Sequence, residues 1–522
     1  MEKKIEKRGI WSGAALLAFS TVIVKFTGLL YKIPLTHILT DEGMGYFNAA
    51  YTVYSLLYLL GTAGVPKAIT VLISGCISNE EENKNRIFKV ACRFFLLIGF
   101  LLFMLLFLLS KPIAFWIGSP NAYPTVLLIS PCLLFVSLAG VYRGYLTSEG
   151  AFSTIAIASL VEACTKLLVG LAFVWLGSSL DFSLPWICAV SVLGIGVGSL
   201  LSTIYLKKHI KIRKCREKVK QYTFEDKTIV KKILHIAIPI TLGSAVTGLS
   251  SLIDLSMIMK RLEAAGFTVV QATAAYGNYT TLVVPMLQLA SALLAPITVV
   301  LLPRLANAWA QGTRSEYEAT MQMAENVCAF FSVPLAFIFC FFSKELLSLI
   351  FPAQSAANAA PLLRLLSLGV IFLSSLLVLN TALEAVGGAR LQMLSMLIGV
   401  VIKIPLSYSL LGRADFGIVG APIGTVGSYA ISFVFSYFCL EKITGVRTPI
   451  LSSHLLPTIN ALFATLAGML SMRFLHFSFS SRLEVLISLC VFGMVYLFFS
   501  YITGVLRLEK ITNIAKRTKS SA

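Results

Sequence analysis

The sequence predicts an all-α polytopic membrane protein of about fourteen transmembrane helices: two six-helix lobes related by a pseudo-twofold axis along the membrane normal, plus two C-terminal helices. Three observations predict it. Of 522 residues, 57% are hydrophobic and 13% charged, and mean hydropathy is +0.85, whereas about a quarter of the residues of soluble domains are charged. Apolar runs of about 20 residues, long enough to span a bilayer, recur from Trp11 to the C-terminal tail. Finally, stretches of the two halves repeat each other at fixed offsets.

The runs lie near 11–38, 46–75, 88–110, 121–145, 152–177, 184–206, 229–259, 270–303, 325–343, 360–387, 390–412, 417–440, 453–475 and 483–506. With the N-terminal MEKKIEKR in the cytoplasm, 29 of the 43 Lys and Arg fall on that side, six on the other and eight within or at the edges of spans. The positive-inside rule then places both termini inside. The net charge of +19 is therefore topological. Its densest block, Lys207 to Lys232, suits a cytoplasmic loop against anionic lipid headgroups rather than nucleic acid. No small-residue cleavage site follows the first run, so it reads as a helix and not a secretory signal. The ten cysteines form no CxxC pair and the five histidines no HExxH arrangement, so no disulfide, metal site or bound cofactor is expected.

The repeat has two registers. Tyr46, Asn48 and Pro66 match Tyr276, Asn278 and Pro296 at an offset of 230, and Gly150 and Lys166 match Gly387 and Lys403 at 237. Six spans per copy is an even number, so both copies insert with the same orientation. The expected organisation is an N-terminal lobe 1–206, a basic cytoplasmic linker 207–228, a C-terminal lobe 229–441, and two spans with a cytoplasmic tail at 442–522. Prolines 66, 131, 239, 285, 296, 334 and 405 fall within spans. They suit helices that bend where a neighbour or a wet cavity covers the freed carbonyl.

An ionised side chain at mid-bilayer costs about 2.5–3.5 kcal/mol on insertion scales, so each one calls for a partner or a role. Lys25, Gly28 and Lys32 are spaced i, i+3, i+7 and share one stripe of the first helix. Lys67 follows Pro66 at a break in the second. Glu162 and Lys166 stand at i, i+4, the order that favours mutual neutralisation, as a fixed pair or as one that opens to substrate. In the second half the candidates are Asp254, Lys403, Glu384 and Arg364. Asp254, the deepest acid, falls within one position of the repeat counterpart of Lys25 and is placed either to face it or to bind a coupling cation. Glu384 and Arg364 lie near span ends. Lysines around a cavity of low dielectric attract anions, and a phosphate or pyrophosphate headgroup is the natural guest.

Several stretches carry a family resemblance: KFTGLLYKIPL with DEGMGYF downstream, GTAGVPKAIT, YRGYLTSEGAFSTIAIASLVEACTK, EAVGGARLQMLSMLIGVVIKIPLSY and FGIVGAPIGTVGSYAIS. In order and spacing the chain resembles the polysaccharide-transporter branch of the multidrug/oligosaccharidyl-lipid/polysaccharide exporter superfamily, with its sporulation-protein and lipid II flippase-like members. The resemblance implies fourteen helices, two lobes about a central cavity, alternating access and outward transfer of undecaprenyl-pyrophosphate-linked sugars across a bacterial cytoplasmic membrane. It places the family's basic pair of the first helix on Lys25 and Lys32, its Glu-x-x-x-basic pair on Glu162 and Lys166, and its RG on Arg143 and Gly144. Lysine stands here where arginine is common in the family, which removes a bidentate grip on phosphate but keeps the charge.

The function expected is a flippase for a lipid-linked saccharide with a pyrophosphate headgroup, serving cell-wall, spore-cortex or surface-polysaccharide assembly. A monomer is expected, beside anionic lipids and cell-wall synthesis enzymes. No GxxxxGK[ST] motif is present to hydrolyse ATP, so the drive is left to the membrane potential, H+ or Na+. One rival is a cation-coupled multidrug antiporter on the same fold, which calls for acids where this chain has lysines. Another is a membrane polymerase or acyl transferase, which calls for a large outer loop with acid and base residues that the chain lacks. A scaffold for envelope enzymes is the third.

Overall fold

The computed structural model describes residues 2–75, 81–210, 226–475 and 481–505, all in helices and their connections, with no strand among them. Residues 211–225 of the basic linker and 506–522 of the tail lie outside the described residues, as does the side chain of Pro296. Two compact units divide the chain, Met1–Gly277 and Asn278–Ala522. The first holds α1 (Glu2–Thr62), α2 (Val65–Ser74), α3 (Glu81–Leu108), α4 (Ser110–Trp116), α5 (Tyr123–Ile129), α6 (Cys132–Ser148), α7 (Phe152–Ser179), α8 (Leu184–Ser191), α9 (Leu193–His209), α10 (Asp226–Ala264) and α11 (Val269–Asn278), whose last residue meets the boundary. The second holds α12 (Val284–Ala310), α13 (Arg314–Phe341), α14 (Ser343–Ile350), α15 (Ala353–Ala385), α16 (Ala389–Leu411), α17 (Gly420–Thr444), α18 (Ile450–Leu475) and α19 (Ser481–Ile502).

The protein is a multi-pass membrane protein. Among the described residues ten helical segments are long and apolar enough to cross a bilayer, or eleven when Pro120–Ile129 and Cys132–Ser148, bent by 42°, count as one span. The longest of the ten, Ser20–Ser74, takes in most of the first two apolar runs. They part at Thr40, whose φ of 61° is in the left-handed region that a β-branched residue rarely enters. Prolines sort into two roles. Pro66 sits in the first turn of α2 and Pro131 just before α6, where the missing N–H costs nothing, while Pro285, just after the π-helical turn Tyr279–Val283, and Pro239, Pro334 and Pro405, inside α10, α13 and α16, lie within continuous helix.

In the first unit a core of Val65, Ile69, Phe88, Tyr142, Tyr145 and Leu206, among others, joins α2, α3, α6 and α9 to the start of α10. Arg86 at the head of α3 reaches Asp226 at the head of α10, with Nη2 at 2.9 Å and Nε at 3.0 Å from one carboxylate oxygen. Contact groups α10 with the first unit, against α1 and α2. Glycines let α9 approach α7: a Cβ on Gly198 would stand 2.7 Å from the Glu162 carbonyl oxygen, and one on Gly194 would meet the Gly170 backbone. Close backbone approach through small residues is a principal source of helix association in lipid, where burial gives little.

The second unit is held by apolar clusters and by a hydroxyl network. Ser436 Oγ donates to Asn380 Oδ1 at 3.0 Å and to Ser395 Oγ at 2.7 Å, while Ser395 and Ser432 exchange bonds with each other's carbonyls at 3.0 and 2.8 Å. These bonds tie α15, α16 and α17 together, each contributing about 0.6 kcal/mol in a membrane setting.

Gly198→Val therefore pushes α9 off α7, and overpacking of this kind costs about 1–3 kcal/mol. The purified variant is expected to melt several degrees below the parent, whereas Gly493→Ala, where a Cβ meets nothing within 4 Å, leaves the melting temperature unchanged. Equal melting of the two variants would refute the α7–α9 contact.

Candidate functional site

Residues Phe47, Tyr51, Tyr54 and Tyr58 recur at i, i+4, i+7 and i+11 along the second half of α1 and so share a stripe. Their rings form a run of centroid distances of 6.1, 5.9 and 6.0 Å, and Tyr31, from before the Thr40 break, adds itself to Phe47 at 6.2 Å. Tyr31 is locked: only 1% exposed, packed on Gly170 of α7, its hydroxyl donating to the Ser191 carbonyl at 2.7 Å. Tyr51 is 38% exposed, so a guest can reach it.

Above this stripe lies Lys166. Its Nζ sits 5.3 Å from the centroids of both Tyr31 and Tyr51, within the range at which a ring face attracts a cation. Glu162, one turn earlier on α7, gives its carboxylate to a different helix: Arg143 Nη2 donates to Glu162 Oε2 at 2.8 Å. The expected mutual neutralisation of Glu162 and Lys166 is thus replaced by a pair between α6 and α7. The physical reason is reach, since α9 draws α7 in by its backbone and sets Glu162 against the guanidinium of α6. Among the described residues Lys166 makes no ion pair. Lys32, half-buried on α1, feels the charge of Lys166 directly.

The Arg143–Glu162 pair borders a cavity of about 220 Å³, walled also by Tyr58, Thr62, Pro66 and Ser199. Gly144 permits it, because a larger residue would drive α6 into Pro66 and Ile69 of α2. The Tyr58 hydroxyl stands at the guanidinium, and Arg143 Nε is buried without a hydrogen-bond partner.

The structure therefore brings together Lys32, Lys166, Glu162 and Arg143 in the first unit. Lys25 and Lys67 are elsewhere, exposed and in no ion pair among the described residues; the absent Cβ of Gly28 faces open space. Asp254 is half-buried on α10 beside Tyr276, whose hydroxyl meets Thr52 Oγ1 at 3.0 Å. In the second unit Lys403 is half-buried on α16, Glu384 is exposed at the end of α15, and Arg364 Nε donates to Ser343 Oγ at 3.1 Å.

Two features escaped the sequence reading. The aromatic stripe is present as spacing in FNAAYTVYSLLY, but it was not singled out. Glu325 of α13 sits at the expected edge of a span and is instead 0% exposed, with Oε2 accepting from Ser375 Oγ at 3.1 Å and Oε1 without a partner.

A family model described as polysaccharide biosynthesis protein matches residues 10–309, and one described as MatE matches residues 239–409. Stage V sporulation protein B of Bacillus subtilis (strain 168) is 23% identical, over 85% of this chain and 86% of that protein. Lipid II flippase MurJ of the same organism is 22% identical, over 95% of each. Among solved structures, lipid II flippase MurJ in an inward closed conformation superposes with a TM-score of 0.73 at 18% identity, over 94% of this chain and 98% of that one.

The Arg143–Glu162 pair is testable by a double-mutant cycle on thermal stability. Arg143→Ala and Glu162→Ala each strand an ion in a poorly hydrated place, so the double variant should lose less than the sum of the singles, by about 1–3 kcal/mol. Additive losses would mean that the two side chains do not interact.

Proposed function

Because the chain belongs to the polysaccharide biosynthesis protein family, we propose that it is a flippase carrying an undecaprenyl-pyrophosphate-linked saccharide from the inner to the outer leaflet by alternating access. The observation that carries this reading is Lys166, an ammonium held over two tyrosine rings with no carboxylate in ion-pair range among the described residues. Withdrawing an ammonium from water costs several kcal/mol. Two ring faces return about 1–2 kcal/mol each when desolvated. The rest of the cost is met by an anionic guest, and a pyrophosphate also relieves the repulsion between Lys166 and Lys32 by lying against both.

In this reading the headgroup enters from the cytoplasm and the lipid tail stays in the bilayer. Lys25 and Lys67, exposed at other depths, serve as entry contacts for the same anion, and both termini face the cytoplasm of a bacterial cell. Each uncompensated negative charge moved outward from a negative interior gains about 2.3 kcal/mol per 100 mV, a drive that needs no nucleotide. The relatives named as a sporulation protein and as a lipid II flippase support the substrate class, with the saccharide either a peptidoglycan precursor or a polysaccharide repeat unit. The MatE match and the acids Asp254 and Glu325 favour a second reading, a cation-coupled drug antiporter. Restored export of cationic dyes in a deletion strain would select it.

In liposomes holding lipid II or an undecaprenyl-pyrophosphate repeat unit, Lys166→Ala is expected to reduce translocation at least about tenfold at unchanged protein level, and Lys166→Arg to retain most of it, since the charge persists. Lys25→Ala is expected to slow it as well. Full activity of both alanine variants would remove the basis of the proposal.

A further inference from the structure

The cavity beside Arg143 and Glu162 has no part in holding an anion. Its two charged groups are paired with each other at 2.8 Å and sum to zero, so it exerts little net pull on a phosphate. What it offers instead is a set of directional polar groups between apolar walls. Glu162 accepts, the guanidinium of Arg143 donates, and the hydroxyls of Tyr58, Thr62 and Ser199 line the same space. Thr62 and Ser199 already donate to the carbonyls of Tyr58 and Gly196, which leaves their oxygens as acceptors. Leu59, Val136 and Ala139 supply the apolar side. Hydroxyl-bearing rings, with polar edges and C–H faces, are the complement of such a lining, because bonds to charged groups are worth about 1.5–3 kcal/mol and reject a guest that cannot make them.

Size and position narrow the guest. The volume of about 220 Å³ falls short of the ~300–1,000 Å³ of sites that enclose a drug-sized ligand, so it admits one ring and not an oligosaccharide. Glu162 and Lys166 are four residues apart on α7, about 6 Å along the helix. A glycosyl diphosphate has the same order of groups, a neutral polyol next to an anion. We infer that the Arg143–Glu162 cavity is a saccharide subsite, taking the first sugar ring of the lipid-linked substrate while Lys166 holds its pyrophosphate.

This rests on the flippase reading, and the test separates the two. Full-length protein in nanodiscs is titrated with undecaprenyl pyrophosphate and with its mono-N-acetylhexosamine derivative. The parent is expected to bind the sugar-bearing lipid about tenfold more tightly. Gly140→Val projects a side chain from the cavity wall and should bring that ratio near one with binding of the bare lipid retained. The double variant Arg143→Gln, Glu162→Gln keeps the net charge and should do the same, which guards against misfolding in the first. Lys166→Ala should weaken both lipids in equal proportion. A parent ratio near one, or a ratio that both cavity variants leave intact, overturns the subsite and spares the flippase; failure of the parent to bind either lipid overturns both.

Discussion

The arrangement depends on one constraint: an ammonium in a medium of low dielectric must be answered by something. Lys166 is answered on one side by the faces of Tyr31 and Tyr51, at 5.3 Å each. The carboxylate that helical spacing would bring to it is taken by Arg143, and the glycines of α9 fix α7 so that this pairing holds. Tyr31, bonded to Ser191, cannot turn aside. Lys166 still feels the charge of Glu162, but makes no ion pair with it among the described residues.

The two units solve their polar problem differently. In the first, charge is concentrated on α1, α6 and α7 and set against aromatic rings. In the second, the buried polar groups among the described residues are mostly neutral, as in the Asn380, Ser395, Ser432 and Ser436 network, with Glu325 and Glu484 the exceptions. Hydroxyl networks of this kind join helices without demanding a counter-ion. In the proposed reading, recognition of an anion falls to the first unit.

Much of this was legible in the sequence because a bilayer leaves few choices. Runs of about 20 apolar residues force helices, and the described residues are helical through the runs, although ten or eleven segments rather than fourteen are long and apolar enough to span. Lys32, Glu162 and Lys166 were named from their depth and spacing and Arg143 from the family resemblance, and the structure brings the four together. Spacing along one helix says which residues share a face, but not which neighbour that face meets, so the i, i+4 rule assigned Glu162 to Lys166 when a third helix brought the stronger partner. Lys25 looked the same as Lys166 in sequence, both being lysines deep in apolar runs; only packing separates an exposed position from one over two rings. The break at Thr40 falls in the polar gap between the runs drawn to end at 38 and to begin at 46. Glu325 was missed because its span was drawn to begin there, with α13 starting at Arg314.

The most direct measurement is a nitrogen–phosphorus dipolar contact, by solid-state NMR, between protein labelled at lysine Nζ and undecaprenyl pyrophosphate bound in bilayers. A lysine signal dephased by phosphorus, and lost in Lys166→Arg, is the predicted result. Absence of any such contact, or one that Lys166→Arg leaves unchanged, would contradict the account.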